Sequence, residues 1–154
     1  VIKITEAGTD QVSLVRELFL EYAQSLDFKL CFQGFDKELA ELPGKYAPPK
    51  GFMLLAYSGS ELAGCVAMQP IDSEICEMKR LYVRPQFQGQ GIGKSLVLRL
   101  IDKSKSAAYK KMRLDTVPSM KAALGLYGSL GFYKIPPYRE NPIPGAEYLE
   151  KIIS

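Results

Sequence analysis

The stretch "RPQFQGQGIGKSLV" (84–97) decides how this chain is read, because three alternate glycines run straight into an amphipathic helix. Gly89, Gly91 and Gly93 leave main chain bare where a Cβ would block a close approach, and the helix that follows turns its unpaired N–H groups back toward that loop. The helix dipole adds about half a positive charge at that end. A phosphate or pyrophosphate is the natural occupant.

Downstream of the loop, Ile92, Leu96, Val97, Leu100 and Ile101 share one apolar helical face that runs to about Tyr109, and "MRLDTV" (112–117) follows as a buried strand. Upstream, "ICEMKRLYV" (75–83) is the strand that feeds the loop, so the strands on either side of the helix should run parallel. Before it, "FMLLAY" (52–57) and "LAGCVAMQ" (62–69), joined by "SGSE", form an antiparallel hairpin. "IKIT" (2–5) predicts a short first strand, and Thr9 or Asp10 caps a helix that carries Val12, Val15, Leu18, Phe19 and Tyr22 to near Leu26. Asp36 to Leu42 suits a short helix and "PGKYAPPKG" a loop. Ser119 is placed to cap a helix through Leu130, with Gly131 closing it in the left-handed conformation, before final strands at 132–135 and 148–153. The pattern predicts a mixed sheet, antiparallel in its first half and parallel at one junction, with helices on both faces.

A chain of 154 residues suits one domain spanning 1–154, and 47% hydrophobic with 24% charged residues is an ordinary globular balance. No apolar run approaches the ~18 residues of a membrane span, and "VIKITEAGTD" lacks the basic-then-apolar layout of a signal peptide. The expected address is cytoplasmic, with no membrane partner. Cys31, Cys65 and Cys76 show no C-x-x-C spacing and suit buried, reduced thiols. The chain has no histidine, which excludes a His-based triad or His metal site, and no metal is expected. A net charge of +3 spread over scattered Lys and Arg argues against a nucleic-acid surface and is compatible with a polyanionic small molecule.

Three anion-binding patterns compete for the opening stretch. A Walker A loop would need glycine where Gln88 stands, four spacers before Gly93-Lys94-Ser95. The dinucleotide fingerprint G-x-G-x-x-G fails because the third glycine comes one residue early, and the strand before it ends an antiparallel meander. The pattern that fits is Q/R-x-x-G-x-G/A, realised as Gln88-Gly89-Gln90-Gly91-Ile92-Gly93 between a strand and a long helix. Here the sequence resembles the GNAT N-acetyltransferases, which bind the pyrophosphate of acetyl-coenzyme A with this loop. "EMKRLYVRPQFQGQGIG" is similar to that family's strand-loop-helix segment and "SMKAALGLYGSLGF" (119–132) to its later helix, in the right order across about 50 to 154. The resemblance implies the GNAT fold, an α/β (α+β) domain with a mixed sheet of about six to seven strands.

It also implies roles. Amides from Gly89, Gln90, Gly91, Ile92, Gly93 and Lys94 would cradle the pyrophosphate, with Gln88 and Ser95 donating from side chains. Lys94 either adds charge directly or is a solvated first-turn lysine. The pantetheine arm would pair with main chain at Leu81, Tyr82 and Val83, the Leu81 amide being placed to bind the thioester oxygen, which gains charge in the transition state. Glu77, eleven residues before Gln88, is the candidate base for the attacking ammonium, or else a face glutamate paired with a neighbouring Lys or Arg. Tyr127 holds the position of the family's thiolate-protonating tyrosine, or is an aromatic packing residue on the helix face. Ser119 replaces an asparagine common in relatives and touches the cofactor, if at all, through its hydroxyl.

The acceptor pocket falls, by the resemblance, between residues 26–47 and 133–148, with Phe28, Phe32, Phe35, Tyr46 and Tyr138 as candidate walls and Arg139 as a candidate carboxylate partner. "CFQGFDKELAELPGKYAPP" and "PYRENPIPGAEY" resemble a recurring bacterial subgroup to which no substrate attaches. The expectation is a primary-amine acceptor, a small molecule, acetylated by direct attack in a ternary complex. A protein or peptide acceptor and a non-catalytic acyl-CoA sensor are the rivals. Dimers are common in the family, so a homodimer is compatible with this reading.

Overall fold

The computed structural model of the chain describes residues 1–27, 29–30 and 34–154. Its strands are β1 (Ile2–Glu6), β2 (Phe52–Ser58), β3 (Glu61–Pro70), β4 (Ile75–Val83), β5 (Lys111–Thr116), β6 (Tyr133–Ile135) and β7 (Glu147–Ile152). Its helices are α1 (Val12–Ser25), α2 (Phe35–Glu41), α3 (Ile92–Ser106) and α4 (Lys121–Ser129). All seven strands join one sheet in the order β1-β2-β3-β4-β5-β7-β6. The first four are antiparallel, β4 and β5 are parallel, and β7 returns antiparallel to both β5 and β6. The expected mixed α/β (α+β) sheet with a parallel junction is therefore present.

Strand alternation sorts the core onto two faces. Leu54, Ala56, Val66 and Met68 join the apolar cluster that contains α3 residues Leu96, Val97 and Leu100. Their neighbours Met53, Leu55, Cys65 and Ala67 join the cluster that contains α1 residues Val15, Leu18 and Phe19, with Phe35 of α2. Cys65 and Cys76 are buried free thiols, as their setting in apolar strands suggested, while Cys31 lies outside the described residues.

The alternation slips once, in β4. Ala67 faces Lys79 and Cys65 faces Tyr82, so Arg80 and Leu81 together oppose Val66. This is a β-bulge, and Arg80 takes the left-handed conformation within it at φ 62°. Such backbone costs about 1–2 kcal/mol for a residue with a Cβ, so the surroundings must hold it. Arg80 is 5% exposed and grips Glu38 of α2 through Nε at 2.9 Å and Nη2 at 2.8 Å, above the Phe35 ring. On the other side of the slip, β3 passes so close that a Cβ on Gly64 would stand 2.5 Å from the Tyr82 carbonyl oxygen. Pairing between β4 and β5 covers only Ile75–Glu77 against Lys111–Arg113. Beyond that point the two strands diverge, and the gap they leave positions the site.

Local differences from the sequence expectations have local causes. Residues 9–11 form a 3-10 turn, so α1 is entered from Gln11, and neither Thr9 nor Asp10 caps it. Ser119 does not cap α4, whose cap position is Met120, because its hydroxyl donates instead to Asp27 across the sheet end at 3.3 Å. Gly131 does take the left-handed conformation, at φ 88°.

Candidate active site

The glycine loop joins β4 to α3. Gly91, at φ 79°, is the cap residue of α3, and the first intrahelical bond runs from the Ser95 N–H to the Gly91 carbonyl at 3.0 Å. The N–H groups of Ile92, Gly93 and Lys94 therefore precede the helical ladder and have no partner within it. Ile92 contributes only main chain here, since its side chain is 1% exposed in the core. Nothing lies within 4 Å of the Cβ positions of Gly89 and Gly91, which leaves their main chain open to a ligand. Lys94 and Gln90 are exposed, and the Gln88 amide donates to the Val83 carbonyl at 3.1 Å, tying the loop back to the strand end.

Arg84, the first residue after β4, does not turn toward the loop. It reaches Glu17 at 2.6 Å and Glu21 at 2.7 Å, and so fastens the strand end to α1. The Arg84 hydrogen bond, above its other neighbours, holds the Glu21 carboxyl below the usual range.

Three cavities meet at the parted strands. The largest, about 620 Å³, runs beside the glycine loop between Leu81 and Val83 on one wall and Gly93, Ser119 and Leu126 on the other. A narrow gap of about 40 Å³ lies in the split itself, lined by Leu81, Lys79, Asp115 and Tyr127. It shares Tyr22, Leu81 and Met120 with the large cleft. A third cavity of about 290 Å³ opens on the α2 side and shares Lys79 with the gap. The shared residues place the three cavities side by side across the parted strands.

Tyr127 is 6% exposed, with its ring 5.7 Å from that of Phe132. Burial, more than the nearby Tyr22 and Asp115, pushes its phenol well above the ordinary tyrosine range, so it stays protonated. Asp115 accepts from the Asn141 amide at 3.0 Å. Glu77 is fully enclosed: Gln69 donates to it at 2.8 Å, Tyr138 at 2.6 Å, and Arg139 forms a short ion pair with it. It stands behind the wall that Gln69 and Arg139 present to the third cavity.

Of the aromatics expected around an acceptor, Tyr46 lines that cavity, Phe35 is core beneath Arg80, and Tyr138 binds Glu77. Phe28 and Phe32 lie outside the described residues. Sequence reading missed Lys79, Arg80 and Asp115. The first two were legible in principle as a slip in periodicity, since the strand's core-facing apolar residues move from Cys76 and Met78 to Leu81 and Val83.

Burial above all, and then the neighbouring Arg80, lower Lys79 from its usual 10.5 to about 8. The unfolded chain binds this proton more tightly, so Lys79 makes stability rise with pH from about 8 to 10, and its full destabilising effect is present below pH 8. Replacing Lys79 by Met is expected to stabilise the protein at pH 7 by roughly 2 kcal/mol, the gain fading toward pH 10. Urea midpoints at pH 7, 8.5 and 10 test this, and a gain that does not change with pH contradicts it.

The model of the acetyltransferase (GNAT) family matches residues 14–132, which include the glycine loop, the bulged strand and α4. The chain belongs to the GNAT acetyltransferase family. An N-acetyltransferase of Schizosaccharomyces pombe, itself uncharacterised, is 44% identical to this GNAT chain over 134 residues, 86% of the chain and 82% of the relative. A GNAT acetyltransferase of Staphylococcus aureus superposes with a TM-score of 0.82 over 100% of both chains at 17% identity. One from Elizabethkingia anophelis, solved with acetyl-CoA bound, superposes with a TM-score of 0.72 at 26% identity over 98% of this GNAT chain and 97% of its own. The enzyme is an acyltransferase. Among its described residues no helix is long and apolar enough to cross a membrane, and no group of three or more metal-ligating side chains occurs.

Proposed function

We propose that this GNAT enzyme moves an acetyl group from acetyl-CoA to the primary amine of a small molecule, by direct attack with both substrates bound. The observation that carries this reading is the row of three adjoining cavities at the β4 bulge, which would bring a donor and an acceptor together from opposite sides. The large cleft fits coenzyme A: open main chain and unpaired amides at Gly89–Lys94 suit its diphosphate, and the edge of β4 at Leu81–Val83 suits an arm that pairs through main chain. Ser119 lines this cleft, and Ser95 lies in the first turn of α3, where a hydroxyl would add to the anion site. Acetyl-CoA supplies the activated acyl group.

The chain's own residues do the rest. The Leu81 amide, beside the bulge, stabilises charge on the thioester oxygen. Tyr127 donates a hydrogen bond, and finally a proton, to the departing sulfur. Glu77 takes the proton from the acceptor ammonium, reached through the Tyr138 hydroxyl or a water because its own surface is closed. Among the described residues, direct transfer is favoured over a cysteine-bound acyl group because burial pushes the Cys76 thiol up to about 12, and raises Cys65 as well.

Two measurements test the reading. Saturating acetyl-CoA, at about 100 times its Kd, is expected to stabilise the protein by about 2.7 kcal/mol, and ATP with Mg²⁺ by nothing measurable. Thiol release from acetyl-CoA should then depend on added amine across a panel of small amines. Stabilisation without amine-dependent release would leave only an acyl-CoA sensor.

A further inference from the structure

The cavity on the α2 side is built for an anion. Its wall carries four cationic side chains, Lys37, Lys45, Lys79 and Arg139, against two carboxylates, Glu38 and Glu41. Glu38 is gripped by the buried Arg80 fork and Arg139 is paired with the buried Glu77, and among the remaining lining residues the lysines outnumber the one carboxylate, Glu41. Two of the lining residues carry a buried polar atom. The Arg139 Nε has no hydrogen-bond partner among the described residues, whereas the Tyr46 hydroxyl, in a residue only 2% exposed, lies beside the Glu38 carboxylate, which can accept from it. Burial, and then the nearby Glu38 carboxylate, hold the Tyr46 phenol protonated, so it can donate.

A buried guanidinium donor left without an acceptor, with lysines beside it, calls for a group that only accepts, and an ionised carboxylate is such a group. Arg139 keeps its Nη2 on Glu77, and its Nε is the charged donor left to meet a carboxylate oxygen. At about 290 Å³ the space lies at the small end of ligand pockets, enough for an amino acid and too small for a nucleotide or a folded peptide segment. The same wall disfavours acceptors that carry only ammonium groups, because like charges repel there. For an amino acid, that field also lowers the affinity of the ammonium for its proton, which helps to generate the neutral nucleophile.

Resting on the transferase reading above, we propose that the acceptors of this enzyme are amino carboxylates, and that Arg139 and the lysine rim bind their carboxylate while the amine points through the split in the sheet. Lys45 and Lys37 act from the exposed rim as steering charges, and Arg139 makes the anchoring contact.

The test compares proteinogenic amino acids with their primary amides as acceptors, following thiol release from acetyl-CoA with the full chain. The best acid should exceed its amide in kcat/KM by about tenfold or more. Arg139→Gln should bring that ratio near one, and Lys45→Glu should raise KM for the acid more than for the amide. The rim variant carries the test if Arg139→Gln does not fold. Amides that match their acids in the wild type, or a ratio unmoved by both variants, overturn the proposal.

A second arm separates this proposal from the transferase reading. The coenzyme A complex is titrated calorimetrically with N-acetyl amino acids and with the corresponding N-acetyl amides. Preferential binding of the acids that is lost in Lys45→Glu sustains the anion site even if no amine is acetylated. Equal binding of acids and amides, or no binding of either, overturns it even if amines are acetylated.

Discussion

Tyr127→Phe is expected to lower kcat about 100-fold or more while leaving the acetyl-CoA dissociation constant within about twofold. The hydroxyl is the only atom removed, and the ring keeps its place against Phe132 in the core, so the fold should persist. A phenol pushed above 10 is a weaker acid than an ordinary thiol near ~8.5, which at first argues against it as a donor. The mismatch narrows in the gap itself, because burial disfavours the thiolate as it disfavours the phenolate, raising both. The proton then stays on Tyr127 until charge builds on sulfur, and the hydrogen bond strengthens as it does. Single-turnover rates alongside calorimetric acetyl-CoA binding check this. An unchanged rate removes Tyr127 as the acid, and an affinity loss that matches the rate loss makes it a binding residue.

Arg80→Ala is expected to destabilise the protein by about 3–5 kcal/mol, as does removing one partner of a buried ion pair elsewhere. The Arg80 side chain is 3% exposed and that of Glu38 17%, so the carboxylate left behind is poorly hydrated. Burial works against the guanidinium charge, and the fork to Glu38 more than offsets it, holding Arg80 protonated. Arg80→Gly should be less damaging than Arg80→Ala by about 1 kcal/mol, because glycine accepts φ 62° without the cost a Cβ brings. That reverses the usual order of the two residues in a strand. Denaturant midpoints of the three proteins measure it. Alanine equal to or better than glycine would mean that the bulge relaxes when its tether is lost. Since the bulge opens the split between β4 and β5, both variants should also lose turnover beyond what their stability explains.

The strands and helices were legible because each is short, amphipathic and punctuated by Gly or Pro, so local periodicity and local chemistry agree. The parallel junction followed from one strand-helix-strand unit. The glycine loop was legible for the same reason: its function lies in the main chain, and the spacing of residues without side chains is written directly in the sequence. Tyr127 came from its place in the "LYGSLGF" signature, which sets the helix end beside the sheet.

The second half of the site had no such local signature. Glu77 and Arg139 are 62 residues apart in the chain, Arg80 and Glu38 are 42 apart, and each of these four side chains has a mundane surface reading by itself. Only packing α2 and the 136–146 loop against one face of the sheet buries them together and removes the water that would otherwise screen them. The sequence alone determined a glycine-rich main-chain cradle on an α/β sheet, because that depends on neighbours along the chain. The cationic cavity, the strained Arg80 and the enclosed Glu77 were decided by tertiary structure, because charge acquires its meaning from the distance and dielectric that folding creates.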